Sequence, residues 1–491
     1  MKRRDFLKTV GAGLAGLALL GPRAGLRAAE GPARKPNIVF ILADDLGWGD
    51  PSCYGNAKFK TPALDRLARE GTLFTQYYQG GSVCSPSRCT LMTGRWPAEF
   101  RIHGHYATPE ENRRRDMSDF LDPAAATLPG LLKQAGYATA HVGKWHLGRP
   151  PQARDGLAMY GFDEAHWVDA KGDMQGEEVN LWSVANRPRS SRVLADAAID
   201  VLQRAKAADK PFYCQLWLND PHAPLAPTVE QMKPFHRMEP PGFTSPFEVY
   251  AATVTEMDRQ IGRVLEKMDE LGLAQNTIVI FSSDNGPEDI EINNATWSGI
   301  GSAGPLRGRK RSLYEGGVRL PLIVRWPQGT PAGQVNDRTV VSGADLLPTL
   351  CELAGAAVPD AVQAALRGQS AAAAWRGDKT FQRTRPLMWE WRFRIFNQPW
   401  NRSPMLAVRD GQWKLLLNPD RSRVELYDIP ADPSEQNNLA AQHPDVAASL
   451  SEKVLAWQKT LPPGTIEPAA GKNLYPWPGK SSPSPSPTKG K

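Results

Sequence analysis

The chain has 491 residues, 41% of them hydrophobic and 23% charged, with a formal net charge of +7. That length exceeds one small domain, and the balance excludes a low-complexity or disordered chain. Six basic side chains within residues 1–29 (Lys2, Arg3, Arg4, Lys8, Arg23, Arg27), set against Asp5, carry five of the seven net charges. Charge therefore gives no support to a nucleic-acid partner, and none is expected.

In chain order, "MKRRDFLKTVGAGLAGLALLGPRAGLRAA" comes first. Paired Arg3-Arg4 ahead of a short Gly-rich apolar run predicts a twin-arginine signal peptide over 1–29, cleaved near Ala28 or Ala29. An ordinary secretory signal or an uncleaved anchor is the alternative. The expectation is a periplasmic or secreted protein that uses the twin-arginine (Tat) export machinery. No other segment is apolar enough to span a membrane.

"PNIVFILADD" (36–45) reads as a buried strand ending in two carboxylates. "TPALDRLAREG" (61–71) predicts an amphipathic helix stopped by glycine, and 127–148 a helix, a glycine stop, a strand and a polar loop. Further helices are expected over 191–206 and 247–271. Further strands are expected over 211–220, 277–286 and 319–327. Strands alternating with helices predict an α/β fold: a large mixed, mostly parallel sheet sandwiched by helices. Beyond about residue 384, short strand runs separated by turns precede one helix from about Pro444. They predict a smaller α+β subdomain of antiparallel strands and one helix. The expected division is a catalytic domain over 35–380, a subdomain over 384–465, and a Pro/Ser/Lys-rich disordered tail over 466–491.

Ligands in parallel sheets bind beyond the carboxyl ends of the strands. Asp44, Asp45, Asp284 and Asn285 fall at two such ends. Oxygen donors without Cys/His spacing suit a hard cation, Ca2+ or alternatively Mg2+. Arg88, Lys144, His146, His222 and Lys310 fall in nearby loops or a first helical turn, and with a metal they would form a pocket for a tetrahedral oxyanion. "GKWHLG" predicts Lys144 and His146 on one side of an extended loop. Cys84 precedes a helix opened by Ser85-Pro86, where a thiolate would be stabilised. A nucleophile, a Cys84–Cys89 disulfide and half a zinc site are the readings of this cysteine. The zinc reading is poor, because no second cysteine pair follows. The count of five cysteines is odd, so one has a separate fate if the rest pair.

"CSPSRCTLMTGR" (84–95) and "GYATAHVGKWHLG" (136–148) resemble the two signatures of the type I, formylglycine-dependent sulfatases, a family of alkaline-phosphatase-like fold. "PNIVFILADDLGWGD", "NDPHAP", "FSSDNG", "GPLRGRKRSLYEGGVRLP" and "LYDIPADPSEQNNLA" resemble further blocks of that family, in its order. The likeness runs from about Pro36 to Leu461, with the spacing of arylsulfatases and bacterial N-acetylgalactosamine-6-sulfatase relatives. It implies a sulfuric ester hydrolase acting on a sulfated carbohydrate or aryl sulfate ester. A phosphonate or phosphate monoester hydrolase of the same superfamily is the alternative. A non-catalytic glycan-binding protein is a third reading, disfavoured because no catalytic residue is missing.

The resemblance further implies that a formylglycine-generating enzyme oxidises Cys84 to formylglycine before export. It assigns Ca2+ to Asp44, Asp45, residue 84, Asp284 and Asn285, and catalysis to Cys84, Arg88, Lys144, His146, His222 and Lys310. Arg309 and Arg311 depart from the family's usual glycines and are read as facing solvent or packing in the loop. His103, His105, Trp297 and Trp391 are candidate substrate contacts.

Overall fold

The structure, a computed structural model, describes residues 34–150, 156–168, 179–236, 245–289, 297–396 and 398–473. The predicted signal peptide lies outside them. The described strands are β1 (Asn37–Ala43), β2 (Thr72–Tyr78), β3 (Ala138–Lys144), β4 (Glu164–Val168), β5 (Phe212–Trp217), β6 (Thr277–Ser283), β7 (Arg319–Arg325), β8 (Gln334–Asn336), β9 (Val341–Ser342), β10 (Leu387–Glu390), β11 (Leu406–Asp410), β12 (Trp413–Leu417) and β13 (Glu425–Asp428).

The large sheet runs β4-β3-β5-β1-β6-β7-β2-β8, with β9 also paired to β2. β1 is parallel to β5 and β6, while β7 is antiparallel to β6 and β2. β1 shows why this sheet needs cover on both faces. Its NIVFILA run is buried throughout, and successive side chains point to opposite faces. Ile38, Phe40 and Leu42 join one core cluster; Val39, Ile41 and Ala43 join the other. The helices Pro62–Glu70, Ser190–Ala208 and Pro246–Glu270 cover the second face. The Cys84–Thr93 and Leu346–Ala354 helices cover the first.

The small sheet, β10-β11-β12-β13, is antiparallel and carries the helix Pro444–Lys459. Both predicted sheets are present. β2 was not predicted. Thr75 and Gln76 interrupt its apolar run, and the register shifts between Phe74 and Tyr77. Within the segment expected to begin the disordered tail, residues 470 and 471 touch the end of the small sheet. Ala470 is buried, and Gly471 O accepts from Asn418 Nδ2 at 3.1 Å. Among the described residues, no helix is long and apolar enough to cross a membrane.

Candidate active site

The β1–β6 register aligns Ala43 with Ser283, so the residues after both strands emerge side by side. Asp44, Asp45, Asp284 and Asn285 are buried there. Asp45 adopts a left-handed φ of 67° and donates its N–H to Asp284 Oδ1 at 3.1 Å. One atom each from Asp44, Asp45, Cys84 and Asp284 lie within 4.8 Å of one another. Asn285 Nδ2 donates to Asp45 Oδ1 at 2.7 Å, but Asn285 Oδ1, also buried, has no hydrogen-bond partner. Burial pushes the Asp284 carboxyl up, and the charge of Asp44 pushes it further. Asp44 feels the same burial, yet Lys144 foremost, then His222, Arg88 and Lys310, hold it well below the usual carboxylate range. Three crowded carboxylates and an orphaned amide oxygen fit a hard divalent cation.

Cys84 opens the helix Cys84–Thr93, buried along all 10 residues. Pro86 falls in the first turn, where a missing N–H costs nothing, and Gly94 ends the helix at φ 66°. A side chain on Gly81 would put its Cβ 2.4 Å from Pro86 Cβ, so only glycine lets the preceding loop lie against this helix. Cys84 Sγ donates to Asp44 Oδ1 at 3.4 Å, and Lys144 Nζ lies 3.6 Å from the sulfur. Burial pushes the thiol well above its ordinary value; Lys144 and Lys310 oppose this, and Asp44 and Asp284 reinforce it. The Cys84–Cys89 disulfide reading does not hold, since both cysteines are free.

The predicted cations converge on this point. Arg88 donates to Asp284 Oδ2 from Nε at 3.1 Å and Nη2 at 2.8 Å, and to Lys144 O at 2.6 Å. Lys144 Nζ reaches Asp44 Oδ2 at 2.5 Å, and Lys310 Nζ reaches Asp45 Oδ2 at 2.7 Å. His222 Nδ1 lies 2.6 Å from Ala223 O, which can only accept. The proton is thereby fixed on Nδ1, leaving Nε2 open 3.7 Å from Asp45 Oδ2. Burial, reinforced by Lys144, pushes the imidazole down to about 4. His146 Nε2 lies 3.1 Å from Tyr106 O, and its buried Nδ1 has no partner. The loop is not extended as predicted: Lys144 is the last residue of β3, and His146 takes a left-handed φ of 52°.

The sequence reading missed Glu288, which receives Lys310 Nζ at 3.0 Å and Arg311 Nη1 at 2.5 Å. It also missed Trp182, whose ring lies against His222 and near Lys144 Nζ. Glu288 follows a strand-end motif in an ordinary loop, and neither residue carries a local signal. Arg309 is packed in the loop, donating to Glu288 O at 2.9 Å and Gly301 O at 2.7 Å.

Of the substrate candidates, His105 borders the site. Burial first, then Arg311, Arg115 and Lys310, push it down to about 3. Trp297 is 47% exposed. Trp391 and His103 are corrections. Trp391 is only 4% exposed and meets Phe393 edge-on, so no face is open to a sugar. His103 is buried 3.3 Å from Glu390, which also pairs with Arg392.

A carboxylate cradle, a buried cysteine and three converging cations, Arg88, Lys144 and Lys310, make a site suited to a tetrahedral anion. The sulfatase family model matches residues 36–356, and the N-sulphoglucosamine sulphohydrolase C-terminal model matches residues 308–460. The chain belongs to the sulfatase family and is a sulfuric ester hydrolase. It is 32% identical to N-acetylgalactosamine-6-sulfatase of Canis lupus familiaris, over 91% of this chain and 90% of that one. It is 29% identical to N-acetylgalactosamine-6-O-sulfatase of Bacteroides thetaiotaomicron, over 86% and 92%. The crystal structure of Ps i-CgsB in complex with k-i-k-neocarrahexaose superposes with a TM-score of 0.73 at 27% identity, covering 86% of this chain and 93% of that one.

Proposed function

We propose that this enzyme removes sulfate from a sulfated carbohydrate, using formylglycine made from Cys84 and a divalent cation, Ca2+ or alternatively Mg2+. Asp44, Asp45, Asp284 and Asn285 would hold the cation beside residue 84. The convergence of Cys84 on three buried carboxylates and on Arg88, Lys144 and Lys310 carries this reading. The substrate class is supported by relatives named for N-acetylgalactosamine-6-sulfate and by a neighbour crystallised with a neocarrahexaose.

When bound there, the cation would polarise a sulfate oxygen, and a hydrated aldehyde at position 84 would supply one hydroxyl to attack sulfur and a second whose deprotonation would expel the sulfate. The chain's own residues do the rest. Asp284, its Oδ2 held by Arg88, takes the proton of the attacking hydroxyl. Arg88 and Lys144 hold Asp284 and Asp44 around residue 84. Lys144 and Lys310 offset charge on the sulfate oxygens. His222, its one proton anchored at Nδ1 on Ala223 O, takes up a second proton at Nε2 from solvent and, helped by Lys310, passes it to the departing sugar oxygen. His146 takes the second hydroxyl's proton at Nδ1, the nitrogen that has no partner. Maturation by a formylglycine-generating enzyme acts on the unfolded chain. It would therefore precede twin-arginine export to the periplasm directed by residues 1–29.

The test is peptide mass spectrometry at position 84, joined to turnover of sulfated N-acetylgalactosamine, sulfated galactans, an aryl sulfate and an aryl phosphate, with and without chelator. An aldehyde at position 84 and chelator-sensitive sulfate release are expected. An unmodified thiol with full activity, or a strong preference for phosphate, overturns the reading.

A further inference from the structure

Lys310 lies between two loop stems that the small sheet and its flanking turns hold. Arg307 donates from Nη1 to Glu435 O at 3.0 Å, and Glu315 N donates to Glu435 Oε2 at 2.6 Å. The two stems therefore meet on one residue, and Gly316 N closes them on Arg307 O at 2.6 Å. Between them, Gly308 N donates to Asn401 Oδ1 at 3.0 Å and Leu313 N to Ser403 Oγ at 2.9 Å. Beneath them, Lys414 Nζ bridges Glu315 Oε1 at 2.9 Å and Glu435 Oε1 at 3.0 Å, with all three side chains fully buried. Glu435 holds a left-handed φ of 52°, a conformation that costs a residue with a side chain and persists only where its surroundings enforce it. The loop tip leans on the large sheet instead: Lys310 N donates to Pro287 O at 3.0 Å and Arg311 N to Ser82 O at 2.8 Å.

We infer that Glu435 is a positioning residue for Lys310, so that the small-sheet subdomain sets the geometry of the sulfate pocket. Glu435 touches no reacting group and acts through the loop. The inference rests on the role given to Lys310 above. A loop pinned at both stems keeps the ammonium where sulfate charge must be met, and misplacement by about 1 Å costs on the order of a hundredfold in rate.

A double-mutant cycle tests it on the matured, full-length enzyme with an aryl sulfate. Glu435→Ala is expected to lower kcat at least about tenfold in the wild-type background and to change it less than about twofold in Lys310→Ala, with the melting temperature falling equally in both. Equal activity losses in both backgrounds, or no loss in either, overturn the inference. A Lys310→Ala variant with normal turnover overturns the role of Lys310 itself, and the clamp with it. If Glu435→Ala does not fold, Ser403→Ala, which removes the acceptor of Leu313 N–H, enters the same cycle under the same criteria.

Discussion

Two buried charge clusters in this enzyme are built to opposite ends. Around Lys414 the charges answer one another. Glu315 Oε1 meets Lys414 Nζ, Glu315 Oε2 receives Tyr78 OH at 2.6 Å and lies 3.3 Å from Arg319 Nη1, and Glu435 meets Lys414 and the Glu315 N–H. Around Cys84 each carboxylate also has a cation, Lys144, Lys310 or Arg88, yet polar atoms are left over. Three carboxylates crowd one point, Asn285 Oδ1 and His146 Nδ1 lack partners, and His222 Nε2 faces inward. Burial of charge therefore does not by itself mark chemistry. The mark here is the crowding of three carboxylates on one point beside residue 84.

The largest expected effect breaks the open cluster. Cys84→Ala removes the group that becomes the nucleophile, and kcat should fall by at least about a thousandfold. Its melting temperature should stay close to that of wild type, because only a small buried side chain is trimmed. Normal turnover of an aryl sulfate by this variant would refute the mechanism.

The closed cluster should respond in stability. Lys414→Met strands Glu315 and Glu435 without their shared cation, which should cost about 3–5 kcal/mol in urea denaturation. A loss below about 1 kcal/mol would show that the closed cluster does not depend on its lysine.

The smallest effect concerns a carboxylate with no cation pair among the described residues. Asp258, on the long helix Pro246–Glu270, accepts the N–H groups of Ala63 and Leu64, both at 2.9 Å. Burial pushes it up to about 6. A raised value favours the protonated form in the folded state, so its contribution is complete below about pH 4 and lost as pH rises through about 6. The stability of Asp258→Asn relative to wild type should improve by up to about 3 kcal/mol between those limits. A pH-independent difference between the two proteins would show that Asp258 does not titrate on unfolding.

Much of the open cluster could be read from sequence, and the reason is local. Asp44-Asp45 and Asp284-Asn285 end apolar strands, and parallel pairing of β1 with β6 brings such ends together. Cys84 and Arg88 share one helix turn. Glu288 could not be found this way, since only the folded loop sets it between Lys310 and Arg311. Glu435 lay within a quoted block, but its partners Glu315 and Lys414 are distant in sequence. Trp391 and His103 looked like loop residues open to substrate; the junction with the small sheet buries them both. β2 was hidden by Thr75 and Gln76, whose polar side chains break the alternation that reveals a strand.

The alternation along β1 carries one more consequence. Asp44 and Asp45 follow that strand directly, and each has its own lysine, Lys144 and Lys310. A one-residue slip or insertion in β1 would exchange its inward and outward side chains on both faces, and would put one aspartate in the other's place while carrying the second away from its lysine. The same seven positions thus encode hydrophobic order and ionic pairing together, so neither can drift without the other.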